Sequence, residues 1–165
     1  MNQLEQFREI ETFIFDVDGV LTNSQVLVME DGTLLRQMSI RDGYAIKRAV
    51  KTGYNLCVIT GGQSEGVKMR LENLGVGHVY TGVSDKLPVY ESYVRENGLD
   101  EGKILYMGDD LPDYPVMRRV GLPACPKDAA RELFGMVTYA SPYRGGEGCA
   151  RDVIEKVLRL NEDWK

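Results

Sequence analysis

Short apolar runs rich in β-branched residues alternate along the chain with longer stretches of helical spacing. TFIFDV (12–17), NLCVIT (55–60), HVY (78–80), KILYMG (103–108) and GLPAC (121–125) read as strands. Between them, 42–53, 64–75, 86–98 and 112–121 place apolar residues three and four apart and end in glycine, a common C-cap. A final helix is expected over about 148–164, after the glycine-rich segment SPYRGGEG (141–148). Strands that alternate with helices pair in parallel, with crossovers on both faces, so the pattern predicts a doubly wound α/β sheet. No repeat, linker or domain boundary interrupts it, and residues 1–165 read as one domain.

One stretch breaks the rhythm. In QVLVMEDGTLLRQMS (25–39), Asp31-Gly32 separates two apolar segments, a strong hairpin signal. Val26 and Val28 would face one way and Leu27 and Met29 the other. A projecting hairpin that is apolar on both sides cannot bury both within one small domain, so it is expected to contact another subunit.

Composition narrows the partners. The formal net charge of −5 provides no broad positive field for a nucleic-acid backbone. Three widely spaced cysteines, Cys57, Cys125 and Cys149, form no C-x-x-C pair and suit a reducing cytoplasm. No signal peptide or membrane-length apolar run is expected. The single histidine, His78, reads as an ordinary residue beside a short strand, so a histidine-dependent mechanism has little to build on.

The acids carry the chemistry. In a doubly wound sheet, ligands gather at the carboxyl ends of the strands. Asp16 and Asp18 follow the first strand, and Asp109, Asp110 and Asp113 follow the strand ending near Gly108. Five converging carboxylates repel one another and raise one another's pKa. A hard divalent cation relieves that conflict, and oxygen ligands suit Mg²⁺. The same charge lets an anionic aspartate attack an anionic phosphate, while a second acid serves the leaving oxygen and then water. Thr60 and the backbone N–H groups of Gly61 and Gly62 lie after another strand, where phosphate oxygens are readily held. Lys86, at the head of a helix, supplies a fixed positive charge. The rival explanation, turn and cap residues, suits Asp110 or Asp113 individually but not the set.

DVDGVLT (16–22), VITGG (58–62), Lys86 and GDDLPD (108–113) resemble the four ordered motifs of the haloacid dehalogenase superfamily of magnesium-dependent phosphatases. The resemblance implies that Asp16 is the nucleophile and Asp18 the general acid/base. It places Mg²⁺ between the Asp16 carboxylate, the Asp18 backbone carbonyl and Asp109, with Asp113 or Asp110 in support, and gives the phosphate to Thr60 and Lys86. Only the hairpin and one helix fit between Asp18 and Thr60, so the chain is similar to the capless branch that dephosphorylates 3-deoxy-D-manno-octulosonate 8-phosphate. Relatives of that type form tetramers whose neighbours close the open site, and Arg144 of the tail would reach an active site, its own or an adjacent one.

A sugar acid phosphate carries a carboxylate as well as the phosphate, which calls for basic groups beyond Lys86. Arg41, Arg70 and Arg144 are the candidates. The family usually has Arg or Glu after its Thr-Gly pair, where this chain has Gly62; a nine-carbon sugar acid 9-phosphate is therefore an alternative substrate. A non-catalytic scaffold of sugar activation is an alternative function.

Overall fold

A computed structural model describes residues 1–165. Helix α1 (Gln3–Arg8) leads into β1 (Thr12–Phe15), and the hairpin strands β2 (Leu27–Val28) and β3 (Leu34–Leu35) follow. The chain then alternates: α2 (Ile40–Thr52), β4 (Asn55–Ile59), α3 (Glu65–Asn73), β5 (His78–Tyr80), α4 (Lys86–Asn97), β6 (Ile104–Met107), α5 (Tyr114–Met117), β7 (Leu122–Cys125), β8 (Tyr139–Ala140) and α6 (Cys149–Leu160).

The main sheet has the order β5-β4-β1-β6-β7-β8, and every pairing in it is parallel. Strand β1 is central. The chain builds outward from it on one side through β4 and β5, then crosses to β6 on the other. That reversal leaves a crevice beyond the carboxyl ends of β1 and β6, where doubly wound sheets bind ligands.

Burial explains the strand pattern. On β1, Phe13 and Phe15 enter a core shared with α1, α2, α3 and α6, while Ile14 enters a second core shared with α4 and α5. Each strand residue is covered on one side or the other, so the run is continuously apolar instead of alternating. Helix α6 lacks a side-chain cap of its own, because Gly148 precedes it. Asp42 of α2 reaches across, and its Oδ1 accepts the Arg151 N–H at 2.9 Å.

The hairpin forms as expected. Leu27 faces Leu35 and Val28 faces Leu34 across the two strands. Gly32 turns with φ +87°, and Asp31 Oδ1 accepts the Thr33 N–H at 2.9 Å. It does not fold back onto the core: Leu27 and Val28 remain 63% and 64% exposed.

The structure corrects the helix expected over 112–121. A 3₁₀ turn over Leu111–Asp113 and the single turn of α5 take its place. Pro112 and Pro115 cannot donate within a longer helix, and the chain must drop into β7 by Leu122. Helix α1 and strand β8 went unread because six and two residues are too short to show a period. His78 packs edge-on against Tyr93 at 5.0 Å, an ordinary aromatic contact, and all three cysteines are buried and free. No helix is long and apolar enough to cross a membrane.

Candidate active site

Asp16 is the first residue past β1, where its N–H still pairs with the Met107 carbonyl at 3.2 Å. Its carboxylate is almost fully covered, and its Oδ1 accepts the Val17 N–H at 2.7 Å and lies 3.0 Å from Lys86 Nζ. Lys86, at the start of α4, is also buried and donates to Asp113 Oδ1 at 2.7 Å. The Tyr106 hydroxyl donates to that same oxygen at 2.6 Å, and the Asp109 N–H donates to Asp113 Oδ2 at 3.1 Å. Asp113 thereby fixes both the lysine and the loop carrying Asp109.

Two glycines make the approach possible. Gly19 holds φ +89°, and a Cβ there would run into the Asp109 carboxylate. A Cβ on Gly108 would run into Asp113. The D-x-D-G and G-D-D segments interlock because these positions have no side chain.

Carboxylate oxygens of Asp16, Asp109 and Asp113 lie within 4.8 Å of one another. Burial first, then the charge of Asp113, holds the Asp16 pKa well above the ordinary carboxylate value. The same two causes push Asp109 up to about 6. Burial would pull the Lys86 ammonium down, but Asp113 and Asp16 more than offset this and leave it raised. One lysine among three clustered acids leaves negative charge uncompensated, and hard oxygen donors at this spacing fit a divalent cation such as Mg²⁺. The Asp18 carbonyl accepts no hydrogen bond from the chain, so it too is free for a hard cation.

Of the two acids the sequence left open, Asp113 lies inside this cluster and Asp110 outside. Asp110 is exposed, and its Oδ1 accepts the Leu111 N–H at 2.8 Å, capping the 3₁₀ turn. The structure thus favours Asp113 over Asp110 as the support of a metal. Thr60 is buried at the end of β4, and its Oγ1 accepts the Gly62 N–H at 3.3 Å. Gly61 is exposed beside it.

The three arginines read from sequence make no ion pair with these carboxylates. Arg41 is exposed on α2 and lines a surface groove of about 820 Å³ with Tyr143, Arg151 and Lys156, and no ion pair joins it to the carboxylates. Arg70 lies over Gly43 and helps line a hollow of about 360 Å³ beneath the hairpin. Arg144 is exposed, but its loop is pinned to its own chain: the Gly146 N–H donates to the Val20 carbonyl at 2.9 Å, and the Gly145 N–H to Asp128 Oδ1 at 2.9 Å.

Besides Lys86, the basic residue that reaches the acids is Arg36, which the sequence reading passed over. Its Nε donates to Asp18 Oδ1 at 2.7 Å and its Nη2 to Asp18 Oδ2 at 3.2 Å. The signal was present, since Arg36 directly follows the hairpin strand Leu34–Leu35, but nothing in the pattern says that the hairpin base folds over Asp18.

A sheet reversing at β1, an aspartate pair at that reversal, a threonine hydroxyl on the neighbouring strand and a lysine buried against the acids together define a phosphatase of the haloacid dehalogenase superfamily. No family model matches the chain. The 3-deoxy-D-manno-octulosonate 8-phosphate phosphatase of Yersinia pestis is 32% identical over 155 residues, covering 94% of this chain and 83% of that protein. The enzyme of that name from Escherichia coli K12 is 34% identical over 149 residues, covering 90% and 79%. The crystal structure of the Yersinia pestis phosphatase superposes with a TM-score of 0.94 at 31% identity, over 97% of this chain and 86% of that one. The Moraxella catarrhalis phosphatase, solved with magnesium ion, phosphate ion and 3-deoxy-D-manno-octulosonate, gives 0.91 at 29% identity, over 95% and 90%. The chain belongs to the 3-deoxy-D-manno-octulosonate 8-phosphate phosphatase family.

Proposed function

We propose that the protein is a Mg²⁺-dependent phosphatase that hydrolyses 3-deoxy-D-manno-octulosonate 8-phosphate to the free sugar acid and phosphate. The clustering of Asp16, Asp109 and Asp113 around Lys86 carries this reading, because it is the arrangement a phosphoryl group needs when attacked by a carboxylate. Asp16, Asp109 and the Asp18 carbonyl would hold Mg²⁺, which would supply the positive charge that lets a phosphate dianion approach Asp16.

The chain's own residues do the rest. An Asp16 carboxylate oxygen attacks phosphorus; the P–O ester bond breaks, and Asp18 gives its proton to the departing sugar oxygen. Water then gives a proton back to Asp18 and attacks the aspartyl phosphate, so that the Asp16–phosphorus bond breaks and phosphate leaves. Thr60, the Gly61 and Gly62 backbone and Lys86 hold the phosphoryl oxygens throughout. Asp113 serves as the support that keeps Lys86 charged and Asp109 in place.

The protein acts as a single domain, and self-association through the 25–39 hairpin, as a homotetramer, suits its two exposed apolar faces. A cytoplasmic setting suits three free, buried cysteines. Gly62 bears on the substrate, since a larger residue there would meet whatever occupies the space above Asp18.

Phosphate release over a panel of sugar acid phosphates, with magnesium and with a chelator, tests the reading. Hydrolysis of the eight-carbon 8-phosphate in preference to a nine-carbon 9-phosphate, lost on chelation and in Asp16→Asn by roughly 10⁴-fold or more, is the expected result. Wild type as inert as Asp16→Asn on every member would leave only a scaffold.

A further inference from the structure

We propose that Arg36 is the positioning residue for Asp18: the hairpin delivers a guanidinium that fixes the carboxylate at the orientation in which it serves the leaving group. This inference rests on the assignment of Asp18 as general acid/base made above.

Asp18 needs such a device. It follows the strand by three residues, its side chain is 38% exposed, and its only ion pair is with Arg36. A carboxylate on a surface loop would otherwise sample several rotamers, and catalysis requires one. A guanidinium fork is suited to the task, because two parallel N–H bonds set the plane of a carboxylate as well as its place.

The pair is asymmetric. Oδ1 is held tightly, at 2.7 Å from Nε, while Oδ2 is 3.2 Å from Nη2. Oδ1 is therefore the more tightly held oxygen, and the loosely held Oδ2 is the one that carries the proton to the leaving oxygen. The guanidinium itself is placed at a cost: the Arg36 side chain is only 6% exposed, and its Nη1 is buried without a partner.

Gly62 is the other half of the arrangement. A Cβ at that position would lie 2.9 Å from Arg36 Nη2 and 3.0 Å from Asp18 Oδ2, inside the pair. Arg36 and Gly62, together with Thr60 and Ser64, line the same small hollow. The missing side chain after Thr60-Gly61 is what lets a residue from the hairpin reach Asp18.

The test compares kcat/KM on two phosphate esters in the presence of Mg²⁺: the sugar acid phosphate, whose alkoxide leaving group needs a proton, and p-nitrophenyl phosphate, whose leaving group does not. Arg36→Met is expected to lose at least tenfold more on the alkyl ester than on the aryl ester, and Arg36→Lys to recover part of the difference. Gly62→Val, which leaves Arg36 in the chain but intrudes between it and Asp18, is expected to show the same leaving-group signature, and it carries the test if Arg36→Met does not fold. Equal losses on the two esters in these variants, or no loss on either, would overturn the proposal. Asp18→Asn separates it from the reading beneath it. If that variant also loses equally on both esters, the acid assignment itself has failed; if it discriminates while the Arg36 and Gly62 variants do not, only the positioning role is lost.

Discussion

Lys86 Nζ bridges two buried carboxylates, lying 3.0 Å from Asp16 and 2.7 Å from Asp113. A single ammonium thus serves the proposed nucleophile and the residue that braces the metal loop. The arrangement makes stability and chemistry inseparable at this point, because removing the lysine leaves two buried acids without a counter-charge.

Lys86→Met is therefore expected to cost about 3 kcal/mol of stability in the presence of a chelator, the usual consequence of breaking a buried pair. Urea unfolding measures it. Adding Asp113→Asn should return part of that loss, since it removes one of the stranded charges, and the double-mutant cycle gives the coupling. Turnover in the single variant should fall by roughly 10³-fold with the loss of phosphoryl-group stabilisation.

The acid cluster also makes the protein's response to pH depend on magnesium. In the ion-free protein, burial first and Asp113 second hold Asp109 at about 6 and raise Asp16 as well. An acid raised on folding binds more protons in the native state. The favourable contribution is complete below the unfolded value near 4 and is lost as pH climbs through about 6. Melting temperature in a chelator should accordingly fall across that interval relative to an Asp109→Asn variant. Magnesium should reverse the trend, stabilising little near pH 5 and strongly near about pH 7.5, because protons no longer compete for its ligands. A magnesium-induced shift of equal size at both pH values would contradict the site.

How much of this was legible beforehand follows from the range of each interaction. Asp16, Thr60, Lys86 and Asp109 could be read because each follows a strand or opens a helix in the right order, and a doubly wound sheet brings strand ends to one edge. The choice between Asp110 and Asp113 could not, since it turns on which carboxylate accepts the Tyr106 hydroxyl and the Asp109 N–H. Arg36 was hidden for a similar reason. Its partner lies 18 residues back, and the contact depends on how the hairpin leans over Gly62. Arg41, Arg70 and Arg144 were chosen for their charge and, for Arg144, for the tail that carries it; none pairs with a site carboxylate within the chain.

Asp42 offers a test of the fold away from the chemistry. Gly148 gives α6 no side-chain cap, and Asp42 Oδ1 takes the Arg151 N–H in its place. Asp42→Ala should lower stability by about 1–2 kcal/mol, as the loss of a helix cap does. The urea midpoint should shift with an unchanged slope, and Asp42→Asn should retain most of the stability because its amide oxygen still accepts.

The hairpin carries the last prediction. A two-stranded ribbon is marginal by itself, yet this one holds Leu27 and Leu35 on one face and Val28 and Leu34 on the other, all exposed. Each leucine or valine, if covered by a neighbouring subunit, contributes about 1.5–3 kcal/mol. Both faces need cover, so the assembly should exceed a dimer joined through one face, and sedimentation of wild type should give about four times the 18.5 kDa chain mass. Leu27→Asp with Leu35→Asp should break it into smaller species. Because Arg36 directly follows Leu35, releasing the hairpin should also loosen the hold on Asp18, and kcat/KM on the alkyl ester should fall more than on the aryl ester. A wild-type monomer with full activity would remove both the assembly and this coupling.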